Sequence, residues 1–490
     1  MSRRVQQLLR EYIHESLYAR SGYFSSRDII APTPNFDFCA MVGRAEYTSA
    51  VRAHYASSPQ GWLTPAELFA PHYSAAVARY ILAAHAAERA RAPLRVIEIG
   101  GGSGAHARAF CDAVRMFSPS TYATLDYEIV EISPALAARQ SRALASSGHG
   151  RVARVTVADA TRGVPTPSSE PVFVVALEVL DNLVHDKVVS LHGVLHETWV
   201  DVEEAGVESM GLTEGGSPLT MPPRVIRSEV YRPLADPLVR RAWSVAARGD
   251  AARAEIARGA PLVVRAFEAL GSRVASSVAR ALPELPRALR PPLPPRPAGF
   301  EWALHVPSGA VALLDALSRT VPAARLFFAD FNALPAPRVS AATVAADACV
   351  EVYAPADAPA GCGGPPPDSR GLAGRFGRVR GAGYAGVLVA SKDTVRRETV
   401  DHATPLSPVD RGSADVFFPT DFQALASAAG IAMQCGYAPR AAALADVRKG
   451  VKVVPQTEFL KQWADLAATQ TRTGFNPLVE DYMNMAVLVT

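Results

Sequence analysis

The apolar positions of this chain fall into a few recurrent patterns, and one of them organises the rest. Leu94-Arg95-Val96-Ile97-Glu98-Ile99 is a short, nearly continuous apolar run of the kind a strand buried on both faces requires. It enters Gly100-Gly101-Gly102-Ser103-Gly104 directly. Beyond the glycines, Ala105, Ala109 and Ala113 share one stripe, and Phe110, Val114 and Phe117 the next, which is helix spacing. Strand, glycine turn and helix in that order open a nucleotide-type α/β unit. The pattern repeats. Asp126 to Glu131 reads as a second strand leading through Ile132-Ser133-Pro134 into a helix, Val152 to Val157 as a third, and Pro171 to Leu177 as a fourth, fully buried one.

Around this centre the pattern predicts further elements. Val5, Leu8, Leu9, Tyr12, Ile13, Leu17 and Tyr18 predict a helix over 4–19, ended by Ser21-Gly22. Residues 25–60 read as loop with a short helix. Thr64, Pro65 and Glu67 have the spacing of a capping box with proline at the first helical position, and the helix is expected to run on through 73–90. Residues 190–245 contain a strand pair that includes Thr198 to Val202. A helical region is expected to 281 and a proline-dense linker over 282–298. Glu301 to Val306 resumes as a strand, a helix follows with Leu313, Leu314 and Leu317 inward, and Ala324 to Phe331 is the next core strand. Residues 354–370 read as a low-complexity loop, Gly371 to Gly386 as loop, and Asp415 to Phe422 as a late strand running into a capped helix. The expected fold is α/β: a doubly wound, mostly parallel, Rossmann-like sheet with a helical N-terminal extension and insertions. The expected division is 1–90 as an extension covering the active site, 91–190 as the cofactor-binding core, 191–300 as an insertion, and 301–490 completing the sheet.

Composition narrows the class. The 490 residues are 49% apolar and 20% charged with a net charge of +3, the profile of a globular chain and not of a nucleic-acid binder. The five cysteines form no C-x-x-C pair, so neither a disulfide framework nor a metal centre is expected. No apolar run reaches the length of a membrane span. The N-terminus is rich in arginine but also carries Glu11 and Glu15, unlike a clean transit peptide.

The candidate chemistry lies at the carboxyl ends of the strands, where open α/β sheets bind ligands. Gly100, Gly102 and Gly104 give E-x-G-x-G-x-G, not the dinucleotide G-x-G-x-x-G, because position 105 is Ala. That favours a nucleoside with a small zwitterionic tail, such as S-adenosyl-L-methionine (SAM). Glu98 opens the motif, and the three glycines are placed along the methionine part. Glu131 ends the second strand, where a carboxylate accepts from both ribose hydroxyls. Asp159 follows the third strand and suits the adenine amine. The fourth strand delivers Glu178, Asp181, Asn182, His185 and Asp186 to the rim beside this cofactor. Helix capping accounts for Glu67 more readily than a place in the pocket does.

Taken together these motifs resemble the MidA-like SAM-dependent methyltransferases over most of the chain. Leu17-Tyr18 and Gly22-Tyr23-Phe24 are similar to the family's opening. Thr64 to Phe69, Glu98 to Gly104, and Glu131 with Ser133, Leu136 and Gln140 resemble its central motifs. Leu177 to Asn182 with His185-Asp186 resembles its N-E-x-x-D-A-L-P, with Leu177 for Asn and Leu183-Val184 for Leu-Pro. Asp415 to Phe422, Trp463 and Gly474 to Leu478 are similar to a fungal and plant branch. The resemblance implies methyl transfer to arginine of a protein partner. Glu178 and Asp181 would grip the guanidinium with Asp186 next, His185 would take the proton, and Glu67 would close the pocket. It also implies the mitochondrial matrix and an assembly intermediate of a mitochondrial complex as partner, with a homodimer left open. A degenerate methyltransferase kept as an assembly scaffold, and an RNA methyltransferase, are the alternatives.

Overall fold

The four apolar runs do become adjacent parallel strands, and the chain adds three more beside them. The computed structural model describes residues 3–26, 30, 33–57, 63–87, 92–204, 209–212, 218–220, 225–249, 300–334, 388–392, 399–402, 412, 414–435 and 450–490. The expected helical stretch beyond 249, the proline-dense linker, the low-complexity loop and the second glycine cluster lie outside the described residues.

The chain starts as β1 (Arg3–Leu8), α1 (Leu9–Tyr18), α2 (Tyr23–Ser26), α3 (Arg44–Ser57), α4 (Pro65–Leu68) and α5 (His72–Ala87). The core follows with β2 (Arg95–Ile99), α6 (Ala105–Phe117), α7 (Pro119–Ala123), β3 (Asp126–Glu131), α8 (Pro134–Ser146), β4 (Ala153–Val157) and β5 (Val172–Leu177). Next come β6 (Asp186–Leu191), β7 (Val194–Glu204), β8 (Ser209–Leu212), β9 (Pro218–Thr220), β10 (Val225–Pro233), α9 (Pro237–Ala246) and β11 (Phe300–Val306). The remainder is α10 (Ser308–Thr320), β12 (Ala324–Phe331), β13 (Leu388–Lys392), β14 (Thr399–His402), β15 (Ala414–Phe417), α11 (Phe422–Cys435), β16 (Lys452–Pro455), α12 (Gln456–Trp463), α13 (Pro477–Glu480) and β17 (Met485–Val489).

The central sheet has the order β16-β17-β12-β5-β2-β3-β4. β4, β3, β2, β5 and β12 are mutually parallel, and β17 runs against β12 and β16. Both faces are covered, which is what continuous apolar strands demand. On one face Val96, Phe173, Val175 and Phe327 pack with Val77 and Ile81 of α5 and Phe110 and Val114 of α6. On the other, Ile97, Val174 and Phe328 meet Leu313, Leu314 and Leu317 of α10 and Leu425 of α11. The chain order reverses between β2 and β5, so a crevice opens above their carboxyl ends.

Several elements differ from the pattern. Residues 3–8 are a strand, not the first turns of a helix. β1 pairs antiparallel with β7, Gln6 facing Asp201, and Arg4 and Gln6 both donate to the Asp201 carboxylate. The helix starts at Leu9 because Glu11 reaches back to the Leu8 amide at 3.1 Å. The helix after the capping box is two helices, since Pro71 supplies no amide between them. β11 does not extend the central sheet. It pairs antiparallel with β6 in a second sheet, β1-β7-β6-β11, with β10 on the far side of β7. That sheet straddles the expected boundaries at 190 and 300. Its β6–β7 hairpin turns on His192 and Gly193, both at positive φ (49° and 76°), a primed two-residue turn. β15 belongs to a small sheet with β13 and β14. β16 and β17, which the pattern did not predict, complete the central sheet.

Candidate active site

The glycine loop has the conformation its sequence requires. Gly100, Gly102 and Gly104 have φ of 68°, 53° and 83°, a region that other residues enter only with strain. A Cβ on Gly100 would lie 2.9 Å from the Val179 methyl, and one on Gly102 would lie 3.4 Å from Ile30 and 3.5 Å from a Glu67 oxygen. Gly104 leads into α6, where Ser103 Oγ accepts from the Ala105 amide at 3.3 Å.

Glu131 ends β3 beside this loop and is buried. It accepts from the Ser133 amide at 2.9 Å and the Gln140 side-chain amide at 2.8 Å. Burial pushes its pKa up, opposed by these donors and by the Ile132 and Gly101 amides. Gln140 also donates to the Gly102 carbonyl at 2.9 Å, so one side chain ties the loop to the carboxylate. Asp159 lies one turn after β4 and caps its own short helical turn, accepting from the Thr161 amide at 3.0 Å and the Thr161 hydroxyl at 2.6 Å. It stands at the rim, with β4 pinned to Glu131 through the Ala158 amide at 2.9 Å.

Glu67 caps its own helix and also reaches the glycine loop. One oxygen completes the capping box at the Thr64 amide and hydroxyl, and the other faces the Ser103 amide at 3.4 Å. Burial raises its pKa. Glu98 departs from expectation. Its buried carboxyl turns to the Tyr127 hydroxyl at 2.9 Å, beneath the loop, and burial pushes its pKa up to about 8. Period-two alternation explains this: Ile97 and Ile99 face one side of the sheet, and Glu98 the other with Tyr127.

The turn after β5 carries the residues expected on the acceptor side. Glu178 has φ 52°, a left-handed conformation that costs a non-glycine residue energy. Two groups on β12 hold it. The Ala329 carbonyl accepts the Glu178 amide at 2.9 Å, and the buried Asp330 carboxyl accepts the amides of Leu180 at 2.8 Å and Asp181 at 3.1 Å. The elbow sets Glu178 just past the carboxyl end of β5, and no group among the described residues donates to its carboxyl. Burial, then Asp181, Asp330 and Glu67, push its pKa well up. Asp181 is buried with Oδ1 lacking a partner among the described residues, and burial with Asp330 and Asp415 raises its pKa. Asp415 on β15 accepts from the Asn182 amide at 2.9 Å, and burial pushes its pKa to about 7, as it does that of Asp330.

Two expected catalytic residues point elsewhere. His185 stacks on Phe418 with centroids 4.0 Å apart, hydrogen-bonds the Leu183 carbonyl at 2.8 Å, and is held neutral by burial with a pKa of about 4. It packs the base of the elbow against Phe418. Asp186 starts β6 and is wholly buried in an ion pair with Arg10 at 3.0 Å, which also reaches Asp236 at 2.8 Å; the Ser308 hydroxyl donates to it at 2.5 Å. It fastens α1 to the second sheet. The reading from sequence missed Asp330 and Asp415 as site residues, because their only signal is position at a strand end or start, more than 140 residues from the elbow they support.

The residues present fit the cofactor class expected: a glycine loop held at positive φ, where a Cβ on Gly100 would meet Val179, and a buried carboxylate at the end of β3. A family profile described as "Putative S-adenosyl-L-methionine-dependent methyltransferase" matches residues 76–351. A search of curated proteins returns no match. Among solved structures, a superfamily member from Burkholderia thailandensis bound to S-adenosyl-homocysteine is 16% identical, covering 99% of this chain and 87% of that one with a TM-score of 0.48. A native structure of a protein of that superfamily from the same organism has the same identity and coverage and a TM-score of 0.46. A SAM-dependent methyltransferase from Thiobacillus denitrificans in complex with S-adenosyl-homocysteine is 19% identical over 19% of this chain and 35% of that chain, with a TM-score of 0.14. The profile spans more than half of the chain, and the protein belongs to that family of S-adenosyl-L-methionine-dependent methyltransferases.

Proposed function

We propose that the acceptor is an arginine side chain of a protein partner. The observation that carries this is the Glu178 elbow: a strained backbone, held by β12, presents a carboxyl that has no donor among the described residues and lies beside Asp181 and Glu67. Like charges gathered out of water are costly, and a cation entering among them relieves that cost. A guanidinium matches two carboxylates with paired N–H donors and is weakly hydrated, so it tolerates the crevice. When bound, S-adenosyl-L-methionine supplies a methyl group on a sulfonium. Glu178 and Asp181 hold the guanidinium and fix which nitrogen faces that methyl. Glu178 then takes the proton that the methylated nitrogen releases, a role its raised pKa favours. The partner as an assembly intermediate of a mitochondrial complex, and the matrix as the place of work, are supported by the family resemblance in the sequence.

The test incubates the full chain with SAM and mitochondrial extract, and reads methylarginine by mass spectrometry. The expected result is methylarginine with the native chain and none with Glu178→Gln, which still binds S-adenosylhomocysteine. Cofactor binding without methyl transfer to any protein would refute the arginine reading and leave the assembly scaffold.

A further inference from the structure

The N-terminal elements reach the crevice at three points. The hydroxyl of Tyr18, the last residue of α1, donates to the Asn182 carbonyl at 2.9 Å, next to Asp181 on the elbow. The carbonyl of Phe24 in α2 accepts from the Ser133 hydroxyl at 3.1 Å, two residues past Glu131. Ile30 lies 3.4 Å from where a Cβ of Gly102 would stand. Because β2 lies between β3 and β5 in the sheet, anchors at the ends of both neighbours put this segment over the loop that leaves β2. Between the two anchors the rings of Tyr18 and Phe24 stack, with centroids 5.5 Å apart and planes 15° apart.

These two rings differ from their neighbours. Leu17 and Tyr23 are buried in the core between α1, β7 and β15. Tyr18 and Phe24 keep part of their surface. The carboxylates of Asp415, Asp181, Glu131 and Asp159 all act on the Tyr18 hydroxyl, so it stands between the cofactor side and the acceptor side. A sulfonium is a cation with no N–H or O–H to donate, so it cannot be held by hydrogen bonds. Aromatic faces attract such a cation.

We infer that Tyr18 and Phe24 form an aromatic wall above the glycine loop that receives the sulfonium of the cofactor. The inference rests on the methyltransferase reading and adds two binding residues to it. The wall favours the charged methyl donor over its uncharged thioether product, which helps the product leave.

Calorimetric titration of the full chain with SAM, S-adenosylhomocysteine and the amine analogue sinefungin tests this, with unfolding midpoints measured alongside. Phe24→Leu and Tyr18→Leu are expected to weaken SAM and sinefungin by roughly three- to thirty-fold, with a smaller change for S-adenosylhomocysteine. Tyr18→Phe keeps the ring and is expected to keep the SAM-to-thioether affinity ratio. Parallel loss of all three ligands in the leucine variants, or no loss, overturns the wall and leaves the rings as packing. A native chain that binds none of the three overturns the cofactor site itself, an outcome seen before any variant is made.

Discussion

Replacing Glu98 by Gln tests the electrostatics beneath the glycine loop. The Glu98 carboxyl is buried, accepts from Tyr127 at 2.9 Å, and has its pKa pushed from 4.5 up to about 8 by burial. Its folded pKa lies above its unfolded value. The folded chain therefore holds a proton that the unfolded chain releases between those limits. The stability this group supplies is full at the acid end and is lost as pH rises toward 8. Over that span the loss is about 4 to 5 kcal/mol, at about 1.4 kcal/mol per pH interval. Gln mimics the neutral carboxyl and can still accept from Tyr127, so the variant lacks this term. The assay is urea unfolding from pH 5 to 9, followed by tryptophan fluorescence. Native chain and variant should be close at pH 5, and the variant should be more stable by about 4 kcal/mol at pH 9. Asp330 and Asp415 titrate in the same window, near 7. Both are present in the two proteins, so they cancel in the difference. S-adenosylhomocysteine affinity should be kept, because the side chain faces Tyr127 and not the crevice. A difference that stays within about 1 kcal/mol across the range, or a lost ligand, would refute the burial argument.

Two further substitutions probe the supports of the site. Arg10→Ala leaves Asp186 buried without its cation and should cost about 3 to 5 kcal/mol of stability, partly recovered by adding Asp186→Asn; denaturant midpoints decide it, and an unchanged midpoint would show the pair to be idle. Asp330→Asn turns an amide nitrogen toward one of the backbone donors it now accepts and should cost about 1 to 3 kcal/mol. The same variant should spare S-adenosylhomocysteine binding while slowing methyl transfer, whereas equal loss of both would mean that Asp330 supports the whole crevice and not the elbow.

Much of this protein could be read without coordinates. Four parallel strands follow from short apolar runs, because a strand covered on both faces has no polar side to show. The loop at Gly100, Gly102 and Gly104, and Glu131 at the next strand end, follow from local chemistry: positive φ selects glycine, and the carboxyl end of a strand is where ligands bind. The capping box at Thr64 and Glu67 is equally local. Three kinds of fact needed the fold. Pairing partners did, since Arg3–Leu8 and Phe300–Val306 carry no mark that sends them to a second sheet. Side-chain direction did: four ionisable residues in a nine-residue stretch look like one cluster, yet Glu178 and Asp181 stay together at the elbow with Asp330, His185 packs on Phe418, and Asp186 binds Arg10. Long-range support did too, because Asp330 and Asp415 reach the elbow only after β12 lies beside β5 and β15 docks against Asn182. Sequence spacing sets what neighbours along the chain can do. Which buried carboxyl ends next to which is set by strand order and register, and those are properties of the whole packed chain.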